Sequence, residues 1–160
     1  MLKVRLIPVL YLMNGLIVRS ETFSRFKVIG NPIAELERYN DWDADEVVYI
    51  DITREGEHDF RRSDHAYQGV TNRYDLVRQI ASQAFMPLTF GGGVRTIEDF
   101  GKLIANGADK VAINTAAYET PALISEAAQR FGSQAVVVSI DADKDGMVVT
   151  HCGSKRQERV

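Results

Sequence analysis

The chain has 160 residues, 17.9 kDa and 45% hydrophobic side chains, which is enough for one core-bearing domain. A formal net charge of -3 and a pI near 5.6 exclude the basic footprint of a nucleic-acid binder. A single cysteine, Cys152, excludes an intrachain disulfide framework and a thiolate zinc site, and no apolar run approaches the roughly 18 residues of a membrane span.

A soluble, cytoplasmic protein without nucleic-acid or membrane partners is therefore expected. Residues 1–5 lead straight into an apolar run, without the pattern of a secretory signal.

Residues 6–11 read as a short buried strand, and Asn14-Gly15 as a tight turn into a second strand-like piece, residues 16–19. Asn31-Pro32 opens a helix that runs through Tyr39. Residues 46–51 form the next strand, nearly continuously apolar, as strands covered on both faces tend to be. A helix over about 73–82 follows. The pattern then repeats: a strand at 86–90, a helix opening at Thr96, a strand at 110–114, a helix at 121–131 and a strand at 135–140. Residues 147–150 add a hairpin-like piece.

Alternating strand and helix predict parallel βαβ units with every strand C-terminus on one face. Alternation alone leaves a closed barrel and an open doubly wound sheet equally open. One connection departs from the rhythm: residues 54–72 form a long polar stretch on the strand-exit face, read as a lid or docking surface. His58 and His65 lie in it without matched ligand spacing, so neither a metal nor a cofactor is expected.

Gly91, Gly92 and Gly93 follow a strand directly and precede Thr96-Ile97-Glu98-Asp99, which is close to a capping box. Three glycines let the backbone approach a ligand with outward N–H groups, and a helix start nearby favours an anion, so a phosphate cradle is expected. A tight turn without a ligand accounts for the same residues. Asn114 and Thr115 end the fourth strand and can add an amide and a hydroxyl to that anion, or else cap the following helix. Asp141 ends the fifth strand and shares a face with Val137 and Ser139, which suits an acid–base carboxylate, with a helix cap or turn as the alternative.

Asp51 occupies the exit of the second strand, where it can bind substrate hydroxyls or shape the loop. At the opposite strand ends stand Arg5, Glu46 and Lys110. In a closed barrel they would form a charged ring at its floor, but ordinary surface ion pairing is the simpler expectation.

Taken together, these residues resemble the cyclase subunit family of imidazole glycerol phosphate synthase. The matching segments are Arg5-Leu6-Ile7-Pro8, Asp45-Glu46 through Asp51-Ile52-Thr53, and Pro87-Leu88-Thr89-Phe90-Gly91-Gly92-Gly93. Gly107-Ala108-Asp109-Lys110 through Asn114-Thr115-Ala116-Ala117, and Phe131-Gly132-Ser133-Gln134 through Ile140-Asp141, extend the match over nearly the whole chain. The resemblance implies the α/β class and a TIM (β/α)8 barrel. Residues 1–160 would form a single domain that is the N-terminal portion of that barrel, about five strands, with its site at the strand C-termini.

The family resemblance also implies roles. A glutaminase docks on the strand N-terminal face, and its ammonia passes a charged gate, which Arg5, Glu46 and Lys110 match. From there it crosses the barrel interior to a phosphorylated small-molecule ligand. Gly91, Gly92, Gly93, Asn114 and Thr115 match one phosphate site. Of the family's two catalytic aspartates, Asp141 matches one and Tyr11 stands at the position of the other. Arg19 replaces a family lysine near the substrate.

With an unperturbed pKa near 10, a tyrosine is a poor neutral-pH base, so ring closure is not expected. A subset of the family associated with surface-polysaccharide sugars resembles this chain better, through Ile29-Gly30-Asn31-Pro32 and the enlarged loop after Asp51-Ile52. In that subset ammonia is passed to a separate sugar-modifying enzyme.

The readings in play are an ammonia conduit, a genuine cyclase of histidine biosynthesis, and a non-catalytic scaffold fragment. Because such barrels need about 250 residues, an isolated five-strand portion is expected to expose edges at strands one and five. Marginal stability or self-association would follow.

Overall fold

Asn14 and Gly15 carry positive φ angles of 50° and 78°, and this reversal lays β2 (Leu16–Glu21) antiparallel on β1 (Val9–Met13). The computed structural model describes residues 4–21, 25–54, 59–60 and 69–157. A third strand, β3 (Arg25–Gly30), extends the ribbon by pairing with β2. The ribbon is longer than expected, and Ile29-Gly30 lies inside a strand.

The alternating units then follow as α1 (Pro32–Asp41), β4 (Val47–Asp51), α2 (Arg73–Ala81), β5 (Leu88–Gly91), α3 (Ile97–Ala105) and β6 (Lys110–Ile113). A short α4 (Thr115–Glu119) precedes α5 (Ala122–Phe131), a 3-10 turn at Ser133–Ala135 and β7 (Val136–Val138). The helices start where local chemistry dictates. Asn31 accepts from the N–H groups of Ile33 and Ala34, Asn72 from those of Tyr74 and Asp75, and Thr96 and Asp99 close a capping box.

The seven strands run in the order β3-β2-β1-β4-β5-β6-β7, and every pairing from β1 to β7 is parallel. Strand alternation sorts the side chains onto two faces. Leu10, Leu12, Val47, Tyr49, Leu88, Phe90, Val111 and Ile113 join one core with Leu36, Leu76, Val77, Ile80, Phe100, Leu103, Leu123 and Ala127 from the helices. Val9, Tyr11, Val48, Ile50, Ala112 and Val137 occupy the other face, and none of them belongs to that core. Helices on one face only distinguish a partial barrel from a doubly wound sheet, which carries them on both. The fold is that of the (β/α)8 family, represented by five parallel strands.

Two expectations are corrected. Strand one does not present a bare edge, because the β2–β3 ribbon pairs along it. The strand-five edge is as expected: Val138 and Ile140 on β7 and just beyond are 43% and 69% exposed, with no further strand beside them among the described residues. The fifth strand also stops at Val138, not Ile140, because its partner β6 ends at Ile113 and turns into α4. Ser139 still donates to the Ile113 carbonyl, after which the chain joins a separate antiparallel sheet of β8 (Asp141–Ala142), β9 (Val148–Thr150) and β10 (Lys155–Arg156).

Most of the long loop, with His58 and His65, lies outside the described residues. Phe60 and Val70 from its described parts are buried in the core. No helix among the described residues is long and apolar enough to cross a membrane, and they contain no cluster of metal-binding side chains.

Candidate functional site

At the strand C-terminal face, β5 hands over to residues 91–93. Gly92 and Gly93 have positive φ angles of 96° and 61°, a region that disfavours other residues. A side chain at Gly92 would overlap the Asp51 carbonyl, and a Cβ at Gly91 would stand 2.8 Å from the Ala112 carbonyl. Neighbouring parallel strands thus require these glycines for close approach, with or without a ligand. Parallel β4 and β6 on either side still put the turn at the mouth of the sheet.

Asp51 is 9% exposed, and its Oδ1 accepts from the Thr53 N–H, so it shapes the start of the following loop. Asn114 precedes α4 but makes no side-chain cap; its Nδ2 donates instead to Asp141 Oδ2 at 2.8 Å. Two residues drawn from different strand ends therefore meet at the mouth. Thr115 faces the small sheet, its Oγ1 accepting from the His151 N–H at 3.1 Å. Asp141 pairs in register with Val149, which sets it beside β9, and desolvation and the Asp141 carboxylate push the exposed Cys152 thiol up, with Arg54 pulling it down.

Tyr11 lies on the inner face, in register with Ile50 on β4 and Val18 on β2. Arg19 does not join it. By alternation Arg19 shares the face of Ile17, which is paired with Leu12, and it is exposed and 3.7 Å from Glu21. A one-residue offset in parity turns its guanidinium away from the inner face, against its expected place near the substrate.

At the opposite strand ends the three charged residues converge. Glu46 is 4% exposed, and its Oε2 accepts from Lys110 Nζ at 2.7 Å and lies 3.6 Å from Arg5 Nη1. Its Oε1 accepts from Thr89 Oγ1 at 2.7 Å. The simpler expectation of surface pairing fails on this burial: the carboxylate is enclosed, with Lys110 and Arg5 between it and solvent. Burial raises the Glu46 carboxyl, but hydrogen bonds from Lys110 and Thr89 and the charges of Lys110 and Arg5 outweigh it. They hold the group below the usual carboxylate range.

Thr89 and Arg73 complete these two clusters and are absent from the sequence-derived set. Thr89 had a legible signal, a hydroxyl inside the apolar run Leu88-Thr89-Phe90, where burial demands a partner. Arg73 donates through Nη2 to the Gly92 carbonyl at 2.7 Å, a contact that only the juxtaposition of α2 and the β5 exit creates.

The family model described as "Histidine biosynthesis protein" matches residues 5–159. A relative named "Imidazole glycerol phosphate synthase subunit HisF", from Exiguobacterium sp. (strain ATCC BAA-1283 / AT1b), is 42% identical over 161 aligned residues. The alignment covers 99% of this chain and 59% of that protein. A second, of the same name, from Lachnoclostridium phytofermentans (strain ATCC 700394 / DSM 18823 / ISDg), is 44% identical over 138 residues, covering 86% of this chain and 49% of the relative. The chain thus spans only 49% to 59% of the length of these relatives.

Proposed function

This chain belongs to the histidine biosynthesis protein family, and on that footing we propose that it forms the N-terminal portion of a phosphate-binding barrel of the cyclase-subunit type. The barrel takes glutamine-derived ammonia at its floor and delivers it through the interior to a phosphorylated or sugar acceptor site at the mouth. The observation that carries this reading is the Glu46 cluster. A buried carboxylate tied by Lys110 at 2.7 Å and flanked by Arg5 is a charged plug at one end of the inner face.

Such a plug has a physical use. Burying an unpaired charge is costly, so an interior lined by Val9, Val48, Ile50, Ala112 and Val137 favours neutral ammonia over ammonium. When the Lys110 ammonium moves off Glu46 to open a path, Thr89 and Arg5 stay beside the carboxylate. A glutaminase partner at this end is supported by Leu6, Trp42 and Phe85, which are 67%, 67% and 91% exposed near the floor. Asp45 exchanges hydrogen bonds with Leu6, and Asn40 accepts from the Phe85 N–H, which gathers these segments on one surface.

Tyr11 favours a non-cyclising protein, with the acetamidino-sugar role of the surface-polysaccharide subset as its specific form. It occupies the inner face of β1 in register with Ile50, at the position where the family pattern has a catalytic carboxylate. A second reading, a genuine cyclase of histidine biosynthesis, is favoured by the names of the two relatives and by Asp141 held against Asn114.

The test uses the complete protein with a glutaminase. Glutamine-dependent ammonia transfer that leaks to bulk solvent in Lys110→Met, together with no turnover of the phosphoribulosyl-formimino ribonucleotide, supports the conduit. Turnover by the unaltered protein supports the cyclase. If Tyr11 is what blocks ring closure, Tyr11→Asp gains turnover. Loss of neither coupling nor turnover in Lys110→Met defeats the gate reading.

A further inference from the structure

Arg73 stands at the first turn of α2, immediately after the cap residue Asn72, and reaches across to the glycine turn of the neighbouring unit. Its Nη2 donates to the Gly92 carbonyl at 2.7 Å, and its Nη1 lies 3.0 Å from where a Cβ at Gly93 would be. The guanidinium also lies over the Tyr74 ring, 5.7 Å from its centroid. Its Nε is out of solvent and has no hydrogen-bond partner.

Two of these features are unfavourable for the protein alone, the unpartnered Nε and the place of the cation in the helix. A buried N–H without an acceptor carries its desolvation cost uncompensated. A cation in the first turn of a helix opposes the positive end of the helix dipole. The carboxylate closest in sequence, Asp75, is engaged by Thr71, Asn72 and Arg78, and none among the described residues forms an ion pair with Arg73. A partly buried cation without a counter-charge among the described residues, and braced by a planar fork against a three-glycine turn, is arranged for an anion. Local conflicts of this kind concentrate at functional sites because a ligand resolves them.

We propose that Arg73 supplies the counter-charge for a phosphate monoester held at the turn formed by Gly91, Gly92 and Gly93, and that it sets a preference for the dianion. This rests on reading that turn as the phosphate site. One arm of the guanidinium fixes the turn through Gly92, and the other faces the bound oxyanion beside Gly93. A lysine at this position reaches only one of these at a time, since a single ammonium has no fork.

The test is a calorimetric titration of the full chain with inorganic phosphate at low ionic strength, across the second ionisation of phosphate. The proteins are the unaltered chain, Arg73→Met, Arg73→Lys and the remote Arg130→Met as a charge-matched control. The unaltered chain and the control should bind the dianion better than the monoanion. Arg73→Met should bind roughly tenfold or more weakly, with a flattened pH dependence. Arg73→Lys should fall between them. A purely structural brace would shift the melting temperature but leave the pH dependence of binding intact, and that outcome overturns the proposal. So does unchanged affinity in a folded Arg73→Met, which leaves the phosphate site itself standing. If the unaltered chain binds no phosphate, the phosphate reading of the glycine turn fails and this proposal fails with it.

Discussion

Asn114 Nδ2 donates to Asp141 Oδ2 at 2.8 Å, joining the end of β6 to the start of the small antiparallel sheet. The bond from the His151 N–H to Thr115 Oγ1, and Glu119 at 3.6 Å from His151 and 3.7 Å from Lys155, add further polar tethers between α4 and that sheet.

Removing the Asn114 and Thr115 bonds should loosen the small sheet without disturbing the parallel one. In Asn114→Ala/Thr115→Val, amide exchange of residues 148–150 should speed up by about tenfold, as expected for two hydrogen bonds of about 1 kcal/mol each with partial compensation by water. Amides of β4 and β5 should keep their protection. Equal acceleration throughout would show that the tethers hold the whole fold and not just the sheet.

The Glu46 cluster predicts a pH-dependent stability difference. Because the Glu46 pKa is lowered in the fold, its stabilisation is fully present above the ordinary glutamate pKa of about 4.3 and is lost as pH falls through the folded value. Lys110→Met leaves a buried carboxylate short of its main partner, and at pH 7 it should cost about 3 kcal/mol in urea unfolding. As pH falls below the ordinary glutamate range and Glu46 takes up a proton, the difference should shrink. Adding Glu46→Gln to Lys110→Met should recover much of the loss at pH 7. A penalty that stays constant with pH would remove the buried charge from the explanation.

Glycine turns with the same sign of φ should respond very differently to alanine. Gly92→Ala drives a methyl into the Asp51 backbone and should cost at least about 3 kcal/mol. Gly146, with φ at 74°, has nothing within 4 Å of the added Cβ, so Gly146→Ala should cost only about 1 kcal/mol of backbone strain. Thermal unfolding of the two variants measures the contrast. Similar losses would mean that the close approach of Gly92 to β4 contributes little.

Ile140, 69% exposed beside the open edge of β7, is a point for self-association. In this chain Ile140→Lys should lower the weight-average mass seen by light scattering at a given concentration. A monomer already present in the unaltered chain would contradict the expectation of a sticky strand-five edge.

The elements legible in the sequence are those set by neighbouring residues. Asn31, Asn72 and Thr96 begin helices because a short polar side chain can satisfy free N–H groups two or three residues ahead. The apolar runs of β4 and β6 announce strands covered by helices in the same local way. The strand β3 was not legible, since its residues are exposed nearly throughout and only pairing with β2 makes them a strand. The five-residue α4 lacks a side-chain cap and so leaves no start signal.

The site divides along the same line. Local chemistry in the sequence placed polar residues at strand ends and glycines after β5, and it identified Glu46 and Lys110 as partners in a ring only if the sheet curved. The burial of Glu46 depended on bringing together residues 43 and 64 apart in the chain, Thr89 and Lys110. Likewise, the reach of Arg73 to Gly92 and of Asn114 to Asp141 follows from segments distant in the chain being brought side by side, which no local pattern encodes. Hydrogen bonding and turn geometry act over a few residues and can be read from the chain. Desolvation and charge pairing depend on what the fold brings near, so only the tertiary structure decided them.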